Sequence, residues 1–220
     1  NITYNGAEAH PLATLIGDLP GISMKGISKE IPWPGSRCGW IEYYNRHADP
    51  EFDSLCQALD NAKMIEVCST KLPQMAIPHI FSHPAYQGYR KEQNRRIGSR
   101  SKLIASILSE VPELMFNETY GAFYNTIIFK EGVLNNRQRL KVTDPAVQQL
   151  LGQWLAAPMA PDKQFVYHLL AARQVCVVPV SSFCSDLQGF RVTLLEEDEE
   201  KLIHIFTSIR NAVTEYTAER

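Results

Sequence analysis

An α/β architecture follows from three observations on this 220-residue sequence. Short apolar runs bounded by glycine, proline or aspartate alternate with longer segments whose apolar residues recur at helical spacing. Hydrophobic residues make up 45% of the chain, enough to bury a sizeable core. The alternation has no internal repeat, and the length suits one large domain or two small ones.

Taken in order, Asp18-Leu19-Pro20-Gly21 reads as a turn that leads into a strand over 22–28. Lys29 stands at the end of that strand, Pro34-Gly35 bends the chain, and a second strand covers 38–44. Asp49-Pro50-Glu51 opens a helix with Phe52, Leu55, Cys56 and Leu59 on one face. The segment 72–83 carries Pro73 and Pro78, which predict a helix that is kinked or begins late. A cationic stretch, 90–96, then runs into Ile97, Ile104, Ile107, Leu108 and Val111 at helical intervals, which predicts one long connecting helix. Glu92 inside that stretch makes it a solvated helix face rather than a nucleic-acid patch. A glycine-led strand over 121–129, helices over 144–157 and 162–172, strands over 175–179 and 189–195, and an amphipathic helix over 196–216 complete the chain. The sheet they form is antiparallel or mixed. The acids 196–200 complement the last helix's N-terminus and need no ligand.

The formal charge of −2 leaves no basic footprint for nucleic acid, and no stretch approaches the ~20 apolar residues of a membrane span. Small-molecule or protein partners are expected. The five cysteines, Cys38, Cys56, Cys68, Cys176 and Cys184, are odd in number, widely spaced and without a CxxC pair, so they are expected to be buried thiols in a reducing cytoplasm. His79 and His83 lack the acidic or cysteine neighbours that would complete a metal site, and no metal is expected. The chain opens on Asn1 with neither methionine nor a signal-like segment, and reads as a piece of something longer.

Chemistry concentrates in Ser28-Lys29-Glu30-Ile31-Pro32-Trp33-Pro34-Gly35-Ser36-Arg37-Cys38-Gly39, where an amine and a guanidinium are held eight residues apart across a turn. A partly desolvated lysine can bond an aldehyde carbon, and arginine's planar fork grips phosphate oxygens, a pairing that suits pyridoxal 5'-phosphate. Read alone, a lysine after a short apolar run is usually a solvated strand end. The run resembles the S-K-x-x-x-x-P-G-x-R-x-G signature of fold-type I pyridoxal-phosphate-dependent aminotransferases of class I/II, in spacing as well as residue type.

Two further segments carry the same resemblance in the same order. Gly121-Ala122-Phe123-Tyr124 is similar to the G-x-F-Y segment that opens the family's small domain, and 178–183 followed by Gly189-Phe190-Arg191 resembles its V-x-P-G-S-x-F…G-x-x-R ending. From the residues alone, Arg191 in an apolar strand must exit to solvent or meet an anion. There are departures: Val180 replaces the glycine after Pro179, which puts that loop's backbone in doubt, and Gly26 stands where some members place a phosphate-binding serine. The aspartate that faces the pyridine nitrogen in the family has no counterpart before Lys29, and Asp18 is not assigned that role. Trp33, Trp40, Tyr43 and Tyr124 are expected to pack in the core.

The resemblance implies the C-terminal portion of an aminotransferase: 1–88 as the end of the large cofactor domain, 89–220 as the small α/β domain with its connecting helix. It implies pyridoxal 5'-phosphate as cofactor, Lys29 as catalytic residue, Lys29, Arg37 and Ser28 on the cofactor, and Arg191 on the substrate α-carboxylate. It further implies amino acid and 2-oxo acid substrates and a homodimer of the full-length protein, with this portion inactive alone. Two alternatives share the fold: a pyridoxal-phosphate-binding regulatory domain of a transcription regulator, and a carbon–sulfur lyase.

Overall fold

The computed structural model describes residues 1–218 and divides the chain into two compact units, Asn1–Asn94 and Arg95–Arg220. The first unit holds α1 (Leu12–Leu15), β1 (Gly21–Gly26), α2 (Ile27–Glu30), β2 (Gly39–Tyr44), α3 (Pro50–Met64) and α4 (Lys71–Ser82). Strands β1 and β2 pair antiparallel from Gly21↔Tyr44 to Gly26↔Gly39. A Cβ on Gly39 would lie 2.6 Å from the Lys25 carbonyl oxygen, so the two backbones close tightly where the connecting loop leaves the ladder.

Helix α3 starts where the sequence predicts. Asp49 caps it, accepting from the N–H groups of Glu51 and Phe52 at 2.8 and 2.9 Å, and Pro50 sits at the first helical position. Of the face predicted to be apolar, Cys56 is buried and Leu55 is half exposed. Helix α4 begins at Lys71 rather than late, because Pro73 falls in the first turn, where its missing N–H has no intrahelical acceptor; Pro78 lies inside. The long helix α5 (Tyr86–Leu108) contains the unit boundary.

The second unit is built on a four-stranded antiparallel sheet of order β3-β4-β6-β5, from β3 (Leu114–Phe116), β4 (Tyr124–Phe129), β5 (Val178–Pro179) and β6 (Gly189–Thr193). One sheet face turns Ile127, Phe129, Phe190 and Val192 inward, all buried, against α7 (Pro161–Arg173) and α8 (Glu199–Ala218). Helix α6 (Pro145–Trp154) is capped by Asp144. The core is aromatic: the Phe165 ring lies 5.1 Å from Phe129, 5.6 Å from Phe190 and 5.2 Å from Tyr216, centroid to centroid. Each fully buried phenylalanine contributes roughly 2–3 kcal/mol through apolar area removed from water. Gly189 is required by close approach, since a Cβ there would stand 2.2 Å from the Ile127 carbonyl oxygen and 2.9 Å from Ile128 Cα.

Three expectations are corrected. Lys29 does not end a strand: β1 stops at Gly26, and Lys29 lies in the helical turn α2. Cys68, Cys176 and Cys184 are exposed rather than buried, because they fall outside the faces that pack. Trp33, Trp40, Tyr43 and Tyr124 are half-buried rather than packed in the core.

Candidate functional site

Within the first unit, the β1–β2 connection carries Ser28, Lys29 and Arg37. Ile27, 1% exposed, anchors α2 beneath the loop, and its N–H donates to the Cys38 carbonyl at 3.3 Å. The 3-10 turn Pro34–Ser36 is tied down by buried Ser36, whose Oγ donates to the Trp33 carbonyl at 2.7 Å. Arg37 follows in the left-handed region with φ 49°, a conformation that reverses the chain toward β2. Its Nη1 donates to the Pro34 carbonyl at 3.0 Å, and among the described residues no carboxylate pairs with it. Ser28 is half-buried and Lys29 is exposed, so the described residues do not supply the desolvation expected for the amine.

Within the second unit, Arg191 lies on the sheet face opposite the aromatic core. Its guanidinium sits between two rings, 4.5 Å from the Tyr124 centroid and 4.2 Å from that of Phe183. Register places Arg191 opposite Thr126 on β4 and Val178 on β5. No carboxylate among the described residues forms an ion pair with it. Two aromatic faces attract and orient a planar cation while leaving its edge donors available to a planar anion. Val180 is buried and has no left-handed backbone, so the residue that replaces the family's glycine is accommodated without strain.

Asp162 escaped sequence reasoning, where it served only as a helix start. It is fully buried at the start of α7 and accepts three hydrogen bonds: Ser181 Oγ at 2.6 Å, Ser181 N at 2.9 Å and Gly189 N at 3.2 Å. The only sequence signal is its place one residue after Pro161, which keeps the side chain within the first helical turn. Among the described residues no helix is long and apolar enough to cross a membrane, and no group of three metal-binding side chains converges.

No family model matches the chain. It is 44% identical over 216 residues to an "uncharacterized aminotransferase" of Methanocaldococcus jannaschii, a match that covers 98% of this chain and 50% of that protein. It is 31% identical over 125 residues to the tyrosine aminotransferase of Caenorhabditis elegans, covering 56% of this chain and 26% of the relative. The chain thus spans about half the length, or less, of the curated relatives it matches. Among solved structures, the alanine aminotransferase of Pyrococcus furiosus superposes with a TM-score of 0.75 at 23% identity, over 97% of this chain and 47% of that one. A kynurenine aminotransferase of Pyrococcus horikoshii, solved in complex with PMP, superposes with a TM-score of 0.70 at 16% identity, over 97% and 45% of the respective chains. By sequence the chain is similar to proteins named aminotransferases, by fold it matches solved aminotransferase structures, and it spans about half of their length.

Proposed function

We propose that this chain is the C-terminal portion of a pyridoxal-phosphate-dependent aminotransferase that moves an amino group between an amino acid and a 2-oxo acid. The observation that carries the reading is Arg191, an ion-unpaired guanidinium held between Tyr124 and Phe183. A bidentate pair with an α-carboxylate satisfies that fork and fixes the direction of the substrate amine. We retain 1–88 as the end of the cofactor domain and 89–220 as the small domain.

The donor set of the β1–β2 loop fits pyridoxal 5'-phosphate: an amine for its aldehyde, and a hydroxyl and a guanidinium for its phosphate. Lys29 and Ser28 hold it together with Arg37, whose one described hydrogen bond leaves the rest of its fork for phosphate oxygens. When bound, the cofactor supplies an electron sink that stabilises the substrate carbanion. Lys29 Nζ takes the proton from the substrate Cα and returns one in the reverse half of the cycle. The residue facing the pyridine nitrogen, the ring-stacking group and the rest of the phosphate site come from outside these 220 residues, so the portion is inactive alone.

Relatives and solved structures named as aminotransferases favour amino-group transfer over the lyase and regulatory readings. We extend the reading to a cytoplasmic homodimer of the full-length protein. Exposed Met24, Met64, Ile65 and Val67 favour a covering partner, and the five cysteines are free thiols. The test incubates the full-length protein and its Lys29→Ala variant with cofactor, a panel of amino acids and 2-oxoglutarate. A new amino acid matched by a new oxo acid, absent in the variant, is expected. Ammonia without a product amino acid would establish a lyase instead, and cofactor binding without turnover would leave the regulatory role.

A further inference from the structure

A buried carboxylate with no cation beside it needs a reason, because desolvating a charge is costly unless donors replace water. Asp162 is such a group. It is 0% exposed, forms no ion pair among the described residues, and is held by three donors that come from two residues only, Ser181 and Gly189. Its own N–H donates to Gln188 Oε1 at 3.2 Å, a fourth tie to the same segment. Ser181 and Gly189 are the two ends of one excursion, which leaves the sheet after β5 and returns to it as β6. A single carboxylate oxygen, Oδ2, accepts from both ends.

That excursion carries Phe183, whose ring covers one face of the Arg191 guanidinium, and Arg191 lies two residues beyond Gly189. The loop reverses at Cys184 with φ 56°, and Phe183 is about half exposed, so little packing fixes the ring apart from the closure of its loop. Removing the carboxylate would leave the Ser181 and Gly189 N–H groups without this acceptor and cut the tie between the two ends of the loop. One acceptor atom thus closes both ends at once.

We infer that Asp162 is a positioning residue for Arg191: by closing the 181–189 loop on itself it sets Phe183 against the guanidinium and fixes the fork that receives a substrate carboxylate. The inference rests on the carboxylate-binding role proposed for Arg191, and its test separates the two.

The experiment follows the Arg191 Nε–H NMR signal of the 15N-arginine-labelled full-length protein, assigned by its loss in Arg191→Lys, during titration with acetate. The Tyr124 and Phe183 rings, centred 4.5 and 4.2 Å from the guanidinium carbon, shift this signal away from that of an exposed arginine. Asp162→Ala is expected to move the signal toward the exposed value and to weaken acetate binding roughly three- to tenfold, while the core methyl signals of Ile127 and Leu169 stay in place. A purely structural role would lower thermal stability and leave both Arg191 readouts unchanged, which overturns the inference. Should Asp162→Ala fail to fold, Ser181→Ala decides: a smaller displacement of the Arg191 signal in the same direction supports the inference, and no displacement overturns it. Wild-type protein whose Arg191 signal ignores acetate would instead overturn the carboxylate role on which the inference rests.

Discussion

Lowering the pH should weaken the second unit through one side chain, His168. It lies in α7, 2% exposed, with Nδ1 accepting a long 3.4 Å hydrogen bond from Leu140 N and with buried Nε2 lacking a partner among the described residues. Burial, aided by the positive charge of Arg139, pushes its pKa from the usual 6.5 down to about 4. Tyr216 packs 5.6 Å away, ring to ring, and offers no compensating negative charge because burial raises its own hydroxyl pKa. The folded-state value lies below the unfolded one, so the unfolded chain binds more protons between pH 6.5 and 4. The stabilisation is fully present above 6.5 and falls away as the pH drops through this window. A shift from 6.5 to about 4 corresponds to about 3 kcal/mol at most. Urea unfolding at pH 7.5, 6, 5 and 4 should show that loss in the wild type, and His168→Phe should remove most of the difference between the two ends of the series. Equal pH slopes in both proteins, or an imidazole NMR titration near 6.5, would refute the reasoning.

Gly189→Ala should destabilise the second unit by about 3 kcal/mol or more, since the new Cβ meets backbone atoms of β4 that no rotamer change can move; a chemical-denaturation midpoint close to the wild type would contradict the close approach. Arg37→Ala should weaken binding of pyridoxal 5'-phosphate by the full-length protein about tenfold or more while leaving pyridoxal, which lacks the phosphate, nearly unaffected. Equal losses for the two ligands in a fluorescence titration would remove Arg37 from the phosphate site.

Much of the fold was legible because its punctuation is chemical. Pro20-Gly21, the Asp49 cap and the Pro34-Gly35 bend belong to residues whose backbone demands are local, and the elements beside them lie within a few residues of their predicted bounds. What escaped depends on partners distant in sequence. Strand β3 is three residues long and has no period to read; it exists because Leu114 to Phe116 find β4. The apolar run 175–179 predicts a longer strand than Val178–Pro179, because only those two residues find partners on β6. Helix α8 begins at Glu199 rather than 196 because Asp198 caps it, accepting from Lys201 N at 3.0 Å.

The site was legible to a similar depth. The types and spacing of Lys29 and Arg37 mark the loop, but neither the helical turn that carries Lys29 nor the left-handed backbone of Arg37 follows from a pattern of polarity. For Arg191 the sequence posed a choice between solvent and an anion. The structure answers with two rings, one of them Tyr124, which sequence reasoning had consigned to the core. Asp162 is a polar residue in an ordinary capping context, and only three-dimensional closure of the 181–189 loop explains its burial.

The central claim is that Lys29 carries pyridoxal 5'-phosphate. Borohydride reduction of the cofactor-saturated full-length protein, followed by peptide mass mapping with Lys29→Ala as control, tests it most directly. One stable pyridoxyl adduct on the peptide that contains Lys29, lost in the variant, is expected. A folded, saturated protein with no adduct at Lys29, or with adducts spread over other lysines and unchanged in the variant, would contradict it.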